Sequence, residues 1–160
     1  GVLGYGNESG QATTIPFGPS STAKWTGSFF RRAFELDDPS RFPALRLEVL
    51  RDDGVVVYLN GHEIFRDNLP TGPVAYATQA GDAIEPDDYL VRTLDVASAL
   101  PRGLLVAGTN YLTASVHQAG ATSSDLAFDA ALSGVAPLAG VGDAVVYLTT
   151  PLPGETASSM

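Results

Sequence analysis

The sequence predicts an all-β fold, an antiparallel β-sandwich of jelly-roll type. Every strongly periodic segment of the 160-residue chain either alternates apolar and polar residues or is short and continuously apolar. Turn residues follow each of these segments, and no long amphipathic helix and no internal repeat is present. Short strands joined by loops of varied length are typical of β-sandwiches and jelly rolls.

The first two predicted strands are 27–36 and 44–50. Segment 27–36 (GSFFRRAFEL) is rich in aromatic residues and ends where Pro39 and Pro43 prevent the continuation of a helix. Segment 44–50 (ALRLEVL) has aliphatic residues on one side of a two-residue period and charged residues on the other. It therefore reads as a half-buried strand.

The next two strands are predicted to form a hairpin. Segment 55–59 (VVVYL) is apolar on both faces, as expected of a strand that is covered on each side. Asn60-Gly61 is a strong hairpin signal because both positions of such a turn favour a positive φ. The chain then returns through 62–65.

The second half of the chain contains three further predicted strands, over 89–96, 110–118 and 126–134. Residues 97–100 (ASAL) could form one short helical turn, and we expect no helix longer than one or two turns. The core is predicted to contain the inward-facing residues Phe34, Leu45, Leu47, Val49, Val55, Val57, Leu59 and Leu112.

Composition limits the possible functions. With 44% hydrophobic and 17% charged residues, the chain is most simply one domain with a substantial core. A formal charge of −9 opposes binding to nucleic acid and to anionic membrane surfaces. The absence of cysteine excludes disulfides, a thiolate nucleophile and a cysteine zinc site. No apolar run approaches the roughly 18 residues of a membrane span, so membrane insertion is not expected.

Catalysis is not expected either. The chain has no G-x-S-x-G motif, and its two histidines, His62 and His117, lie in neither a triad nor an H-E-x-x-H context. P-loop and dinucleotide-binding glycine patterns are also absent. A glycosidase needs two facing carboxyl groups, and the sequence leaves open a pairing of Asp52 or Asp53 with Asp125.

Polar residues are concentrated at strand ends. If 44–50, 55–59 and 62–65 run antiparallel to one another, the residues that flank them at one end of the sandwich are Asp52, Asp53, Arg66, Asp67 and Asn68. A second polar cluster, 117–125, also links two strands. Whether it lies at the same end depends on the order of strands in the sheets, which the sequence does not give.

Each of these features has a structural and a functional interpretation. Asp52-Asp53-Gly54 is typical of a tight turn, but it could also bind a cation or a sugar. The adjacent carboxylates repel each other unless Ca²⁺ or Arg66 lies nearby. Arg66 could bind sugar hydroxyls or clasp a neighbouring carboxylate. A structural role is favoured for His117.

Four segments resemble a galactose-binding-like jelly-roll module of large secreted bacterial proteins, where it occurs beside metallophosphoesterase or lamin-tail-like domains. They are FFRRAF, LRDDGVVVYLNGHEIFRDNLPTGPVAY, GTNYLTASVHQ and SSDLAFDAALSG. DDGVVVYLNG also resembles the Asp-Asp-Gly turn of PA14-type modules. The resemblance covers about residues 4–134, and VVYLTTPLPGETAS resembles the connector that follows the module. It implies a module over 1–135 and, over 136–160, an extension or linker toward a neighbouring domain.

The resemblance implies a non-catalytic, secreted or cell-surface module that binds a polysaccharide, with a structural calcium ion. Two calcium sites are possible. One is the Asp52-Asp53 turn with Asp67, and the other joins Asn7 and Glu8 to Asp129. The expected sugar-binding residues are Asp52, Asp53, Arg66, Asn68, His117, Gln118 and Asp125.

Aromatic residues outside strand centres could stack on a sugar ring, and they are Tyr5, Trp25, Tyr76 and Tyr89. The rival hypothesis is a structural spacer or protein-interaction domain with no glycan ligand. An exposed aromatic side chain beside the polar residues would favour sugar binding. Polar residues that all bond one another would favour the spacer.

Overall fold

Ten β-strands and one 3₁₀ turn, Pro39–Arg41, make up the regular structure of the residues that are described. The structure is a computed structural model that describes residues 1–6, 10–85, 90–95, 103–138 and 142–149. The strands are β1 (Val2–Tyr5), β2 (Gln11–Thr14), β3 (Gly27–Leu36), β4 (Ala44–Arg51), β5 (Gly54–Leu59), β6 (His62–Asp67), β7 (Leu90–Asp95), β8 (Gly108–His117), β9 (Leu126–Leu138) and β10 (Gly142–Tyr147). In these described ranges, no helix is long and apolar enough to cross a membrane.

The strands form two sheets that pack face to face. The larger sheet has the order β2-β1-β9-β4-β7, with β10 beside the last part of β9. The smaller sheet has the order β3-β8-β5-β6. All pairings are antiparallel except that of β1 with β2, which is parallel. The predicted all-β sandwich is confirmed, with this one parallel pair as a departure.

The strongest sequence patterns coincide with strands. Strand β3 has the bounds predicted for 27–36, and the hairpin between β5 and β6 turns at Asn60 and Gly61, whose φ angles are 49° and 83°. The sequence analysis did not predict β1, β2 or β10. Strand β9 continues through residue 135, and β10 pairs with its residues 133–138. The division of the chain at residue 135 stays a prediction. Segment 97–100 lies outside the described residues.

The core lies between the inner faces of the two sheets. All eight residues predicted for it are buried. Six of them are completely buried, namely Leu45, Leu47, Val49, Val55, Val57 and Leu59. At about 25 cal/mol for each Å² of apolar surface removed from water, this burial is the main stabilising contribution to the fold. The period-2 pattern of the sequence therefore identified the buried faces correctly.

One premise of the sequence analysis is wrong. Strands β4 and β5 do not form a hairpin, because β4 pairs with β7 and β9 while β5 pairs with β6 and β8 in the other sheet. The Asp52-Asp53 segment between them is thus a crossing from one sheet to the other. It still lies at the same end of the sandwich as the end of β6, because β5 and β6 do form a hairpin.

Candidate functional site

Strand register brings the predicted polar residues to one end of the sandwich, which we call the polar end. Gly54 at the start of β5 is paired with His117 at the end of β8, and Val55 is paired with Asp67 at the end of β6. The residues just before β5 and just after β6 and β8 consequently meet. The polar end comprises Asp52, Asp53, Arg66, Asp67, Asn68, His117, Gln118 and Asp125.

Asp53 is bonded to three other segments of the chain. Its Oδ1 accepts a hydrogen bond of 2.7 Å from the backbone N–H of Ile84, and its Oδ2 accepts one of 2.7 Å from the backbone N–H of Ala119. The side-chain amide of Asn68 donates to its backbone carbonyl at 3.2 Å. Because Asp53 is only 2% exposed, its carboxylate holds the loops together and is not presented to a ligand.

The two ion pairs at the end of β6 differ from those considered in the sequence analysis. Arg66 donates to both carboxylate oxygens of Glu63, at 2.9 and 2.6 Å, and to the carbonyl oxygen of Pro70 at 2.6 Å. Asp67 is paired with Arg51, whose Nε donates to it at 2.7 Å. The guanidinium of Arg66 therefore joins β6 to the loop that follows it and does not neutralise the Asp52-Asp53 turn.

His117 and Gln118 are completely buried. The Nδ1 of His117 lies 2.7 Å from the carbonyl oxygen of Thr78, and its Nε2 lies 2.5 Å from the hydroxyl of Ser115. Nδ1 must therefore be the protonated nitrogen that donates to the carbonyl, so that Nε2 accepts from Ser115. Burial lowers the pKa of His117, which keeps the ring neutral at pH 7. The predicted structural role for this histidine agrees with these contacts.

The amide of Gln118 joins the N-terminal strand to the polar end. Its Nε2 donates to the hydroxyl of Tyr5 at 2.9 Å and to the backbone carbonyl of Asp125 at 2.7 Å. Tyr5 is buried, and burial next to Asp52 and Asp125 raises its pKa to about 12. Its ring is therefore not available to stack on a ligand, contrary to the expectation from sequence.

Two buried oxygen atoms of the polar end, Asp52 Oδ2 and Gln118 Oε1, have no hydrogen-bond partner among the residues that the structure describes. Burial, together with the nearby carboxylates of Asp53 and Asp125, raises the pKa of Asp52 to about 8. An unbonded buried acceptor costs about 1–3 kcal/mol. When Asp52 is deprotonated, its carboxylate and the amide oxygen of Gln118 are hard oxygen donors of the type that Ca²⁺ prefers.

The second predicted calcium site is only partly within the described residues. Asn7 and Glu8 lie outside them. The carboxylate of Asp129 accepts a hydrogen bond of 2.9 Å from the N–H of Ala130 and lies 3.5 Å from the amino group of Gly1. In the part of the chain that the structure describes, no three or more His, Cys, Asp or Glu side chains are grouped so as to hold a metal ion.

Beside the polar end lie three exposed aromatic side chains, which we call the aromatic surface. Trp25 is 44% exposed, Phe29 65% and Tyr76 51%. The rings of Phe29 and Tyr76 lie 6.4 Å apart with 25° between their planes. The ring of Phe29 also meets that of His117 edge to face at 6.3 Å, which places the aromatic surface next to the polar end. Tyr89, the remaining predicted aromatic, lies outside the described residues.

The sequence analysis missed Phe29, although its signal was present. Successive side chains of a strand point to opposite faces, so the adjacent pair Phe29 and Phe30 cannot both be buried in one core. Phe30 stacks on Phe128 between the sheets, with ring centroids 4.6 Å apart. Phe29 must then face outward. Together with Trp25, Tyr76, Ile15 and Pro16 it borders an open hollow of about 510 Å³.

No protein-family model and no curated protein matches the chain. Among solved structures it is similar to the α-L-rhamnosidases of Aspergillus terreus (15% identity, TM-score 0.44, 80% of this chain and 14% of that one) and Streptomyces avermitilis, the latter complexed with L-rhamnose (20%, 0.44, 88% and 12%). It is also similar to the PA14 domain of the MpAFP antifreeze protein (16%, 0.35, 74% and 47%). The chain spans less than half the length of each, and likenesses this distant assign neither a family nor a function.

Proposed function

We propose that this chain is a non-catalytic carbohydrate-binding module whose aromatic surface stacks on sugar rings. The observation that supports this proposal is the exposure of Trp25, Phe29 and Tyr76 side by side next to the polar end. Exposed aromatic side chains that lie together, and not singly, are typical of binding surfaces. The C–H face of a pyranose is apolar and flat, and it can cover an aromatic ring while the hydroxyl groups at its edge remain in water.

The orientation of the rings supports the same proposal. Phe29 and Tyr76 are stacked with 25° between their planes, so the two rings hold each other in a nearly parallel orientation. The open hollow that they share with Trp25 is bordered by three exposed aromatic side chains, so it can offer more than a single aromatic contact. A few stacking contacts and neutral hydrogen bonds, each contributing about 0.5–1.5 kcal/mol, correspond to weak binding, roughly micromolar to millimolar.

A non-catalytic role is supported by the burial of the acidic residues. Asp52 and Asp53 are each 2% exposed, and Asp53 is bonded to two backbone N–H groups. A glycosidase needs two carboxyl groups that both reach the scissile bond. We further propose that the module acts outside the cell as part of a longer chain, in which an attached domain supplies another activity.

We also propose that a calcium ion binds at the polar end, with a structural role. The unbonded oxygens Asp52 Oδ2 and Gln118 Oε1 support this, together with the nearby carboxylate of Asp125. Backbone carbonyls and water would complete the six to eight oxygen ligands that Ca²⁺ takes. Asp67 is not part of this set, because its carboxylate is paired with Arg51.

The test is a screen of immobilised glycans, followed by titration calorimetry on the oligosaccharides that bind. Phe29→Ala and Tyr76→Ala should each weaken binding about three- to tenfold without lowering the melting temperature, because both rings are exposed. The control is Val91→Ala, since Val91 is 55% exposed on β7 in the other sheet. Equal binding by all four proteins would refute the proposed surface.

A structural spacer is the second candidate function. The hydrogen bonds that Asp53, Asn68, His117 and Gln118 form within the chain favour it, because polar groups that are bonded internally need no ligand to be stable. If no glycan binds the wild-type chain in the screen, with or without calcium, the spacer function replaces carbohydrate binding.

A further inference from the structure

A second hollow, of about 400 Å³, lies on the outer face of the smaller sheet and shares Phe29 with the hollow beside Trp25. The strand register explains which side chains face it. Two rows of paired residues cross β3, β8 and β5. The first row is Phe29, Ser115 and Val56, and the next row is Arg31, Thr113 and Tyr58. An aromatic ring therefore lies beside a guanidinium group and hydroxyl groups on one surface.

Arg31 is the charged residue of this hollow. Its guanidinium group lies over the ring of Tyr111, 4.5 Å from the ring centroid, so its position is defined by a cation–π contact. Among the described residues it forms no ion pair, whereas Arg66 on the same face is paired with Glu63. The described residues that line the hollow include no carboxylate. Its local charge is therefore positive although the whole chain has a charge of −9.

This arrangement fits a negatively charged group attached to a flat apolar ring. A guanidinium binds a carboxylate through two parallel hydrogen bonds, which a neutral sugar hydroxyl cannot match. The hydroxyls of Tyr58 and Thr113 can bond the remaining sugar hydroxyls as donors or acceptors. A uronic acid residue combines a carboxylate, a pyranose ring and hydroxyls in one unit.

We infer that the ligand of the aromatic surface is a polysaccharide containing uronic acid, with one sugar ring on Phe29 and its carboxylate on Arg31. This inference rests on the proposed carbohydrate-binding function and names the class of glycan. The acidic residues elsewhere in the chain do not strongly oppose the binding of an acidic polysaccharide at physiological ionic strength, because charges beyond about 8 Å are largely screened. Arg31 lies four residues along β3 from Gly27, which is paired with His117 of the polar end.

The experiment compares acidic and neutral forms of the same glycan. Oligosaccharides of galacturonate, of alginate and of glucuronoxylan are titrated into the full chain at 0.15 M salt, each beside its carboxyl-reduced counterpart. At least one acidic form should bind about tenfold or more tightly than its neutral counterpart, because only the acidic form can form charge-assisted hydrogen bonds with Arg31. Equal affinity for acidic and neutral forms would overturn the inference.

Variants assign the effect to Arg31. Arg31→Gln should lower affinity for the acidic oligosaccharide about tenfold and leave affinity for a neutral one nearly unchanged. Arg31→Lys should retain part of the affinity, because it keeps the charge but loses the paired hydrogen bonds. The matched control is Arg32→Gln, since Arg32 is the next residue, is also exposed and points to the other face of β3.

The outcomes separate the inference from the proposed function. If neutral glycans bind and depend on Phe29 while no acidic oligosaccharide binds, the inference is wrong and the carbohydrate-binding function stands. Equal losses in Arg31→Gln and Arg32→Gln would also overturn the inference, because general electrostatics would then explain them. If no glycan of either kind binds, the proposed function fails and the inference fails with it.

Discussion

Asp53 and Ala119 lie 66 positions apart in the chain and are joined by a hydrogen bond of 2.7 Å from the Ala119 backbone N–H to Asp53 Oδ2. The other carboxylate oxygen of Asp53 accepts from Ile84 at the same distance. One buried side chain thus connects the β4–β5 crossing to the loop after β8 and to the loop after β6. The carboxylate of Asp53, which the sequence suggested as a ligand-binding group, accepts hydrogen bonds from backbone N–H groups of the fold itself.

Asp53→Ala should therefore lower the free energy of unfolding by about 2–4 kcal/mol, because two buried N–H donors lose a charged acceptor. Asp53→Asn should lower the free energy of unfolding by less, since one side-chain carbonyl oxygen remains to accept a hydrogen bond. Urea denaturation measures both. Asp125→Ala is the control, because Asp125 is partly exposed and should cost under about 1 kcal/mol. A similarly small loss for Asp53→Ala would show that the two hydrogen bonds do not stabilise the fold.

Leu47→Ala should lower the free energy of unfolding by about 2–5 kcal/mol, because Leu47 is completely buried and its removal leaves a cavity between the sheets. Denaturation in urea at constant pH is the measurement. Leu90→Ala provides a comparison at an exposed leucine on the neighbouring strand β7, where we expect under about 1 kcal/mol. Equal losses at the two positions would mean that the core is wrongly assigned.

Stability of the calcium-free chain should depend on the charge of Asp52. Its pKa is raised from 3.8 to about 8 by burial and by Asp53 and Asp125. Asp52 therefore holds a proton in the folded state but not in the unfolded state between these pH values, and its contribution to the free energy of unfolding falls as pH rises from about 4 to about 8.

Urea denaturation in EDTA across this pH range tests the prediction. Asp52→Asn, which cannot titrate, should lack this contribution, so the difference between wild type and variant should change steadily through the window. His117 titrates in both proteins and cancels from the difference. Parallel stability profiles for the two proteins would show that Asp52 has an ordinary pKa in the folded chain.

Calcium should raise the melting temperature of the wild-type chain by several degrees. At a calcium concentration about a hundredfold above the dissociation constant, the added stability is about 2.7 kcal/mol. Asp52→Asn should abolish most of this increase and Asp67→Asn should not, because Asp67 is paired with Arg51. Differential scanning calorimetry with calcium and with EDTA measures the effect. An unchanged melting temperature in wild type, or an equal loss in both variants, would rule out the proposed site.

Gly4→Ala should destabilise the chain by about 1–3 kcal/mol or more. A Cβ atom at position 4 would lie 2.0 Å from the backbone carbonyl oxygen of Leu126 in the paired strand β9, and the two strands would have to separate. Gly120→Ala is the matched control, because nothing lies within 4 Å of a Cβ atom there. Thermal unfolding of the two variants compares them directly, and equal melting temperatures would contradict the pairing of β1 with β9.

The sequence by itself determined the all-β class, the buried faces and the hairpin at Asn60 and Gly61. These features follow from local physics, since side chains alternate along a strand and the turn needs positive φ. The sequence also placed Asp52, Asp53 and Asn68 at one end of the sandwich. It did so from a wrong premise, because β4 and β5 belong to different sheets.

Only the tertiary structure decided which groups partner each other. Arg66 bonds Glu63 and not Asp67, Tyr5 is buried beneath Gln118, and Phe29 faces outward. Each of these outcomes depends on the order of strands in the sheets and on contacts between residues distant in the chain, which a short periodic pattern does not encode. For the same reason the sequence suggested a set of sugar-binding residues at the polar end. Packing buries most of these residues and leaves the aromatic side chains beside the polar end exposed.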